Sequence, residues 1–115
     1  MKRNIIIAIL SVFGLLMSCT KDKVQATNCG GADEVSFAAT IWPMIEQNCN
    51  GCHGIQGPGG YTFDEYDKIE NNASVILESM RANGGVQLMP FGGPALDDSL
   101  INAFEVWICQ GKMNN

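Results

Sequence analysis

Histidine is almost missing from this chain: among 115 residues only His53 carries an imidazole. Metal chemistry that needs two imidazoles from one molecule is therefore excluded. Basic residues are also few. Lys and Arg total 7 against 12 Asp and Glu, for a formal net charge of −5. A phosphate-binding surface needs clustered Lys and Arg, so nucleic acid is not an expected partner. No apolar run reaches the roughly 20 residues of an ordinary bilayer span. Repeats, heptads and low-complexity tracts are absent too. Charged residues make up 17% and hydrophobic ones 46%, the balance of a folded globule rather than a disordered tail. The length suits one small domain with a limited apolar core. Glycine is dense in 51–60 and again in 84–93, which marks two loops.

What is present is concentrated in Cys49-Asn50-Gly51-Cys52-His53. C-x-x-C-H is the pattern for attaching haem through two thioether bonds. Two thiols three positions apart reach the two vinyl groups on one edge of the porphyrin. The next side chain then sits beneath the ring, where it can give iron an imidazole nitrogen. The competing readings are a thioredoxin-like redox pair or a chance cluster. A zinc site would leave the usual four-ligand set incomplete.

The start of the chain reads as an export signal over 1–18. Lys2 and Arg3 form a positive n-region, and 5–16 is an apolar h-region too short to span a membrane. Leu16-Met17-Ser18-Cys19 resembles the lipobox of bacterial lipoproteins. The resemblance implies cleavage before Cys19 and lipidation of that residue; the alternative is an ordinary signal or anchor with an incidental cysteine. Thr20 after it leans towards the outer membrane. Residues 19–32 are polar, without helical or strand period, and read as a tether. The domain proper is expected over 33–115.

Within it, Phe37, Ile41, Met44, Ile45 and Asn48 share one helical face over 35–48. Pro43 leaves two limits for the start: Thr40 caps a helix with Pro43 in its first turn, or the helix begins near Ser36 and kinks at Pro43; a helix beginning between those points is expected. Thr62-Phe63-Asp64-Glu65 has the form of a capping box, with Tyr61 and Tyr66 in the staple positions. It predicts a short helix over 63–71. Asn72 then caps a third, 73–81, with Ile76, Leu77 and Met80 inward, ended by Asn83-Gly84-Gly85. Residues 86–96 form a loop holding Met89-Pro90. Asp97 or Asp98 caps the last helix, whose face is Leu100, Ile101, Phe104, Trp107 and Ile108 and whose end is Gly111.

Four helices, C-x-x-C-H after the first and Met-Pro before the last resemble class I cytochrome c. The frame Ile41-Trp42-Pro43-Met44-Ile45, then Cys49 to His53, then Trp107-Ile108 and Gly111, is similar to the mono-haem cytochrome c domains of bacterial lipoproteins. The resemblance covers about residues 35–111. It implies an all-α fold of about four short helices around one covalent haem. First and last helices would cross beside the haem, with Trp107 as the aromatic of the last. It implies Cys49 and Cys52 as thioether partners and His53 as proximal ligand. A proline carbonyl that accepts the His Nδ1–H bond would fall on Pro58.

The distal ligand must then be Met, Lys, water or nothing. Met1 and Met17 leave with the signal, Met44 and Met80 fit helix interiors and Met113 lies in the tail. Met89 remains and matches the family's axial methionine; Met80 is the alternative. Cys29 and Cys109 are the spare cysteines. Outside the cytoplasm such thiols tend to pair, although two independent buried thiols are the other possibility. The leading expectation is an electron-transfer protein of the cell envelope. It would be no enzyme, with a redox protein as donor or acceptor and a lipid bilayer reached through the anchor at Cys19. The alternative is a sensor or peroxidase-like haem subunit with an open iron site.

Overall fold

The computed structural model describes residues 29–115; the expected signal over 1–18, Cys19 and the part of the expected tether up to residue 28 lie outside them. The described residues are helical and contain no strand. The first helical segment opens at Ser36, whose Oγ accepts from the Ala39 N–H at 3.1 Å. A widened π turn runs over Phe37–Ile41 and passes into α1, Trp42–Asn48. Pro43 accounts for the widening. It cannot donate a backbone hydrogen bond, and its ring would strike the carbonyl four residues back in a regular α-turn. Of the two expected starts, the one near Ser36 is found, and Thr40 lies inside the turn rather than capping it.

α2 is the single turn Asn50–His53. α3 follows over Tyr66–Arg81, and α4 over Asp98–Cys109. The expected division of α3 at Asn72 is not present. Asn72 instead donates from its side chain to the Lys68 carbonyl, four residues back, and the helix continues through it. The capping box before α3 does not close either: Glu65 is extended and makes no side-chain cap. Lys68 reaches back to Asp64 at 2.8 Å, and this hydrogen bond holds the Asp64 carboxyl below its ordinary range. α3 ends at Arg81, as expected, and is capped by Ala82 at left-handed φ 52, just before the Asn-Gly-Gly run. Asn83 N–H then closes on the Glu78 carbonyl at 3.0 Å.

The core is the meeting of the first segment, α3 and α4. Ile41, Ile45, Ile69, Phe104 and Trp107 are fully enclosed. Trp107 has Phe37 at 5.7 Å, Phe104 at 5.4 Å and Tyr66 at 6.4 Å between ring centroids. Its indole N–H donates to the Met113 carbonyl at 2.9 Å, so the polar end of a buried ring is satisfied. Arg81 and Glu105 form a two-pronged pair, at 3.1 and 2.6 Å, between α3 and α4. No helix among the described residues is long and apolar enough to cross a membrane.

Both ends of the described chain are bound together beside this core. Asn115 supplies its backbone oxygen to the Ala38 N–H and its side-chain oxygen to the Phe37 N–H, at 2.9 and 2.8 Å. It thus satisfies donors that a helix start leaves unpaired. Buried Gln110 accepts from Val35 N–H and donates to the Asp33 carbonyl. Cys29 and Cys109 are joined as a disulfide across a separation of 80 residues. On a chain-entropy argument such a closure is worth about 4–5 kcal/mol. Alkylation of the oxidised protein should therefore leave Cys29 and Cys109 unlabelled in mass spectrometry, and Cys29→Ser should lower unfolding stability by a few kcal/mol. Labelling of both thiols without reduction would contradict the pairing.

Candidate functional site

α1 delivers the chain directly into the cysteine motif: Cys49 N–H bonds the Ile45 carbonyl at 2.8 Å. The next turn is closed by Cys52 N–H and His53 N–H, which both reach the Cys49 carbonyl, at 3.1 and 2.8 Å. One helical turn therefore carries both thiols and the imidazole. Cys49 is half-buried against the core, and burial pushes its thiol up to about 11. Raised above the ordinary value of 9.0, that pKa adds stability to the haem-free fold below about pH 9, lost as pH rises through about 11. Cys52 is exposed, and neither thiol is in a disulfide.

The glycine-rich residues 54–60 fold back over this turn. Gly59 N–H donates to the Cys52 carbonyl at 2.9 Å, and Phe63 N–H donates to the His53 carbonyl at 2.7 Å. The approach leaves no room for side chains. A Cβ on Gly57 would lie 2.0 Å from the Cys52 carbonyl oxygen, and one on Gly59 would lie 2.5 Å from His53 Nδ1 and Cε1. Glycine is required here by close approach of backbone to backbone and backbone to ring.

The loop also fixes the imidazole. His53 Nδ1 is 2.9 Å from the Tyr61 carbonyl oxygen. A carbonyl can only accept, so Nδ1 carries a proton, and in the neutral ring the lone pair is then on Nε2. Phe63 stacks on the ring at 4.8 Å between centroids. The acceptor is thus Tyr61, not Pro58: the chain needs the full glycine loop before a carbonyl returns to the ring. Backbone acceptors have no residue signature, which is why the sequence pointed to the proline instead.

The remaining candidates are placed as follows. Met80 is buried in the core at 2% exposure, and Met44 at 4%. The Met113 carbonyl is engaged by Trp107. Met89 is half-buried on a loop separate from the cysteine motif, with its N–H on the Ser79 carbonyl at 2.9 Å. Left-handed glycines flank that loop, Gly84 and Gly85 before it and Gly92 after Met89. Cys19 lies outside the described residues.

These residues suit a covalently held porphyrin better than a bare metal ion. No group of three or more His, Cys, Asp or Glu among the described residues is arranged to hold an ion, so Cys49, Cys52 and His53 do not converge on one point. Two unpaired thiols and one imidazole with a lone pair at Nε2 are the donors a covalent haem needs. The described buried side-chain oxygen without a hydrogen-bond partner, Asn50 Oδ1, belongs to a residue that stands between the two cysteines in sequence. Orphaned buried acceptors are rare and concentrate where structure serves function. Comparison with protein-family models, with curated proteins and with solved structures finds no match for the chain.

The glycine loop can be tested directly. Gly57→Ala and Gly59→Ala should each cost about 1–3 kcal/mol in chemical denaturation. Gly51→Ala, where a Cβ meets nothing within 4 Å, should be neutral or slightly stabilising. Equal effects at the three sites would contradict the packing described.

Proposed function

We propose that residues 33–115 form a class I cytochrome c domain that carries one covalent haem and transfers electrons in the bacterial cell envelope, anchored to a membrane by a lipid on Cys19. The observation that carries this reading is the state of His53. Its Nδ1–H is committed to the Tyr61 carbonyl, its ring is stacked on Phe63, and it stands one turn from two unpaired thiols. A dithiol redox centre would need none of that apparatus around the histidine.

In this reading Cys49 and Cys52 hold the haem by thioethers, while His53 Nε2 and the Met89 sulfur ligate its iron. A haem held by these residues would supply a one-electron couple, and with both ligands taken from the protein the chain would serve as a carrier, not an enzyme. The chain's own groups set the conditions. The Nδ1–H bond to Tyr61 fixes which nitrogen faces iron and makes Nε2 a stronger donor. The stacked Phe63 and the close backbone of Gly59 restrict ring rotation, so little reorganisation accompanies a change of charge. A methionine sulfur as the second protein ligand would raise the reduction potential. Burial of Met44 and Met80 in the core supports Met89 as that sulfur.

Replacing Cys49 and Cys52 with Ala should abolish the haem stain on a denaturing gel, and a retained stain would refute the attachment. Met89→Ala should remove the sulfur-to-iron charge-transfer band of the oxidised protein, lower the potential and open iron to carbon monoxide. Met80→Ala should cost only packing, about 2–5 kcal/mol; loss of the band there and not in Met89→Ala would reverse the assignment. Fractionation tests the anchor: Cys19→Ala should leave the membrane fraction or accumulate unprocessed, whereas a soluble wild type with unmodified Cys19 would end the idea.

A further inference from the structure

The chain contains two Asn-Gly pairs, Asn50-Gly51 inside the cysteine motif and Asn83-Gly84 after α3. Such a pair is chemically labile when the backbone nitrogen of the glycine can reach the side-chain carbonyl carbon of the asparagine. Glycine has no Cβ to block that approach. Closing the five-membered ring also requires the asparagine to leave helical dihedrals, so a held helical turn prevents it.

The fold treats the two pairs differently. Asn50 opens the α2 turn; its carbonyl accepts from the Gly54 N–H at 2.9 Å, and its Oδ1 is buried. The glycine loop closes on the same turn through Gly59 N–H and the Cys52 carbonyl, at 2.9 Å. Asn83 lies outside any helix and is exposed, as are Gly84 and Gly85. Its carbonyl accepts from the Val86 N–H at 3.1 Å and closes a tight turn, with Gly84 and Gly85 in the middle at φ 64 and 77. Among the described residues nothing accepts from the Gly84 N–H, so that nitrogen is open to water and base.

This turn also finishes α3. Asn83 N–H bonds the Glu78 carbonyl at 3.0 Å, and Ala82 N–H bonds the Ser79 carbonyl at 3.4 Å. The Ser79 carbonyl accepts from the Met89 N–H as well, at 2.9 Å, which ties the next loop to the same helix end. The Glu78 carboxylate lies against the turn: a Cβ on Gly84 would stand 3.7 Å from its Oε2.

We propose that Asn83 is a site of spontaneous covalent modification, with water as co-reactant, and that its conversion loosens the Met89 loop from α3, while the α2 turn protects Asn50. The Gly84 nitrogen gives up its proton to base and bonds to the Asn83 Cγ; the Cγ–Nδ2 bond breaks and ammonia leaves. Water then opens the succinimide at either carbonyl, to give aspartate or an isoaspartyl linkage that carries an extra methylene in the backbone. Either product places a new carboxylate beside Glu78 and the negative end of α3, where like charge is unfavourable. The isoaspartyl product also displaces the Asn83 N–H from its place in the helix cap. The proposal is independent of the electron-transfer reading.

The full-length protein, in the haem state in which it is isolated, is incubated at mildly alkaline pH beside a sample held reduced in denaturant. Peptide mass spectrometry reads the amide-to-acid change at each asparagine, and an isoaspartyl methyltransferase labels the rearranged product. In native protein Asn83 should convert about tenfold or more faster than Asn50, whereas in denaturant the two convert at comparable rates. The Met89 amide should exchange its hydrogen about tenfold faster in converted protein than in fresh protein. Asn83→Gln, incubated in the same way, should keep slow exchange at Met89. Native Asn83 that stays an amide while the denatured sample converts would overturn the proposal, and so would native Asn50 that converts as fast as Asn83. Converted protein with unchanged exchange at Met89 would overturn the coupling between this site and the loop.

Discussion

The fold depends on the enclosure of Trp107. Its ring is fully buried against Phe37 from the first segment, Tyr66 from α3 and Phe104 from its own helix. Burial of a large aromatic contributes on the order of 3 kcal/mol, a large share of the net stability of a small domain. The contact also sets direction. The π turn that opens at Ser36 seats Phe37 on Trp107, and the helix that follows then ends at Cys49. The cysteine motif is therefore positioned by an aromatic contact at the other end of the same helix. The disulfide and the Asn115 contacts brace that contact, because they join the start of the first segment to the end of α4.

Between the motif and α3 the chain uses few side chains. Gly57 and Gly59 let backbone lie against Cys52 and the His53 ring, and the returning strand of chain offers Tyr61 as acceptor and Phe63 as stacking partner. The ring is held from several sides by groups too short to move far. An imidazole fixed in this way would lose little freedom on binding a group, which is the property the proposed electron-transfer reading needs.

Much of this was legible from local pattern. The last helix, its buried Ile101, Phe104 and Trp107, and its end near Gly111 follow from spacing that one helix satisfies by itself. The inward faces of Ile41, Met44 and Ile45 were legible for the same reason. What was missed depends on groups distant in sequence or on side chains with two uses. Asn72 suits a cap and a helix interior alike, and its bond to the Lys68 carbonyl decides for the interior. Thr62 and Glu65 spell a capping box, but Glu65 is extended and the helix opens only at Tyr66. Asn115 as the donor-satisfying group of the first segment has no local signal at all. In the candidate site the adjacency of Cys49, Cys52 and His53 is plain in the sequence, whereas the acceptor for His53 is a carbonyl that only the closed loop brings near.

The central claim is that the fold holds His53 with its proton on Nδ1 and offers Nε2 to iron. One histidine in the chain makes this directly measurable, because a protein labelled with ¹⁵N only at histidine gives the signals of a single ring. In the haem-loaded, reduced protein the account predicts one Nδ1 with a slowly exchanging, hydrogen-bonded proton and one Nε2 shifted by bonding to iron. An Nδ1 without that proton, or an Nε2 with the shift of a free imidazole, would contradict it.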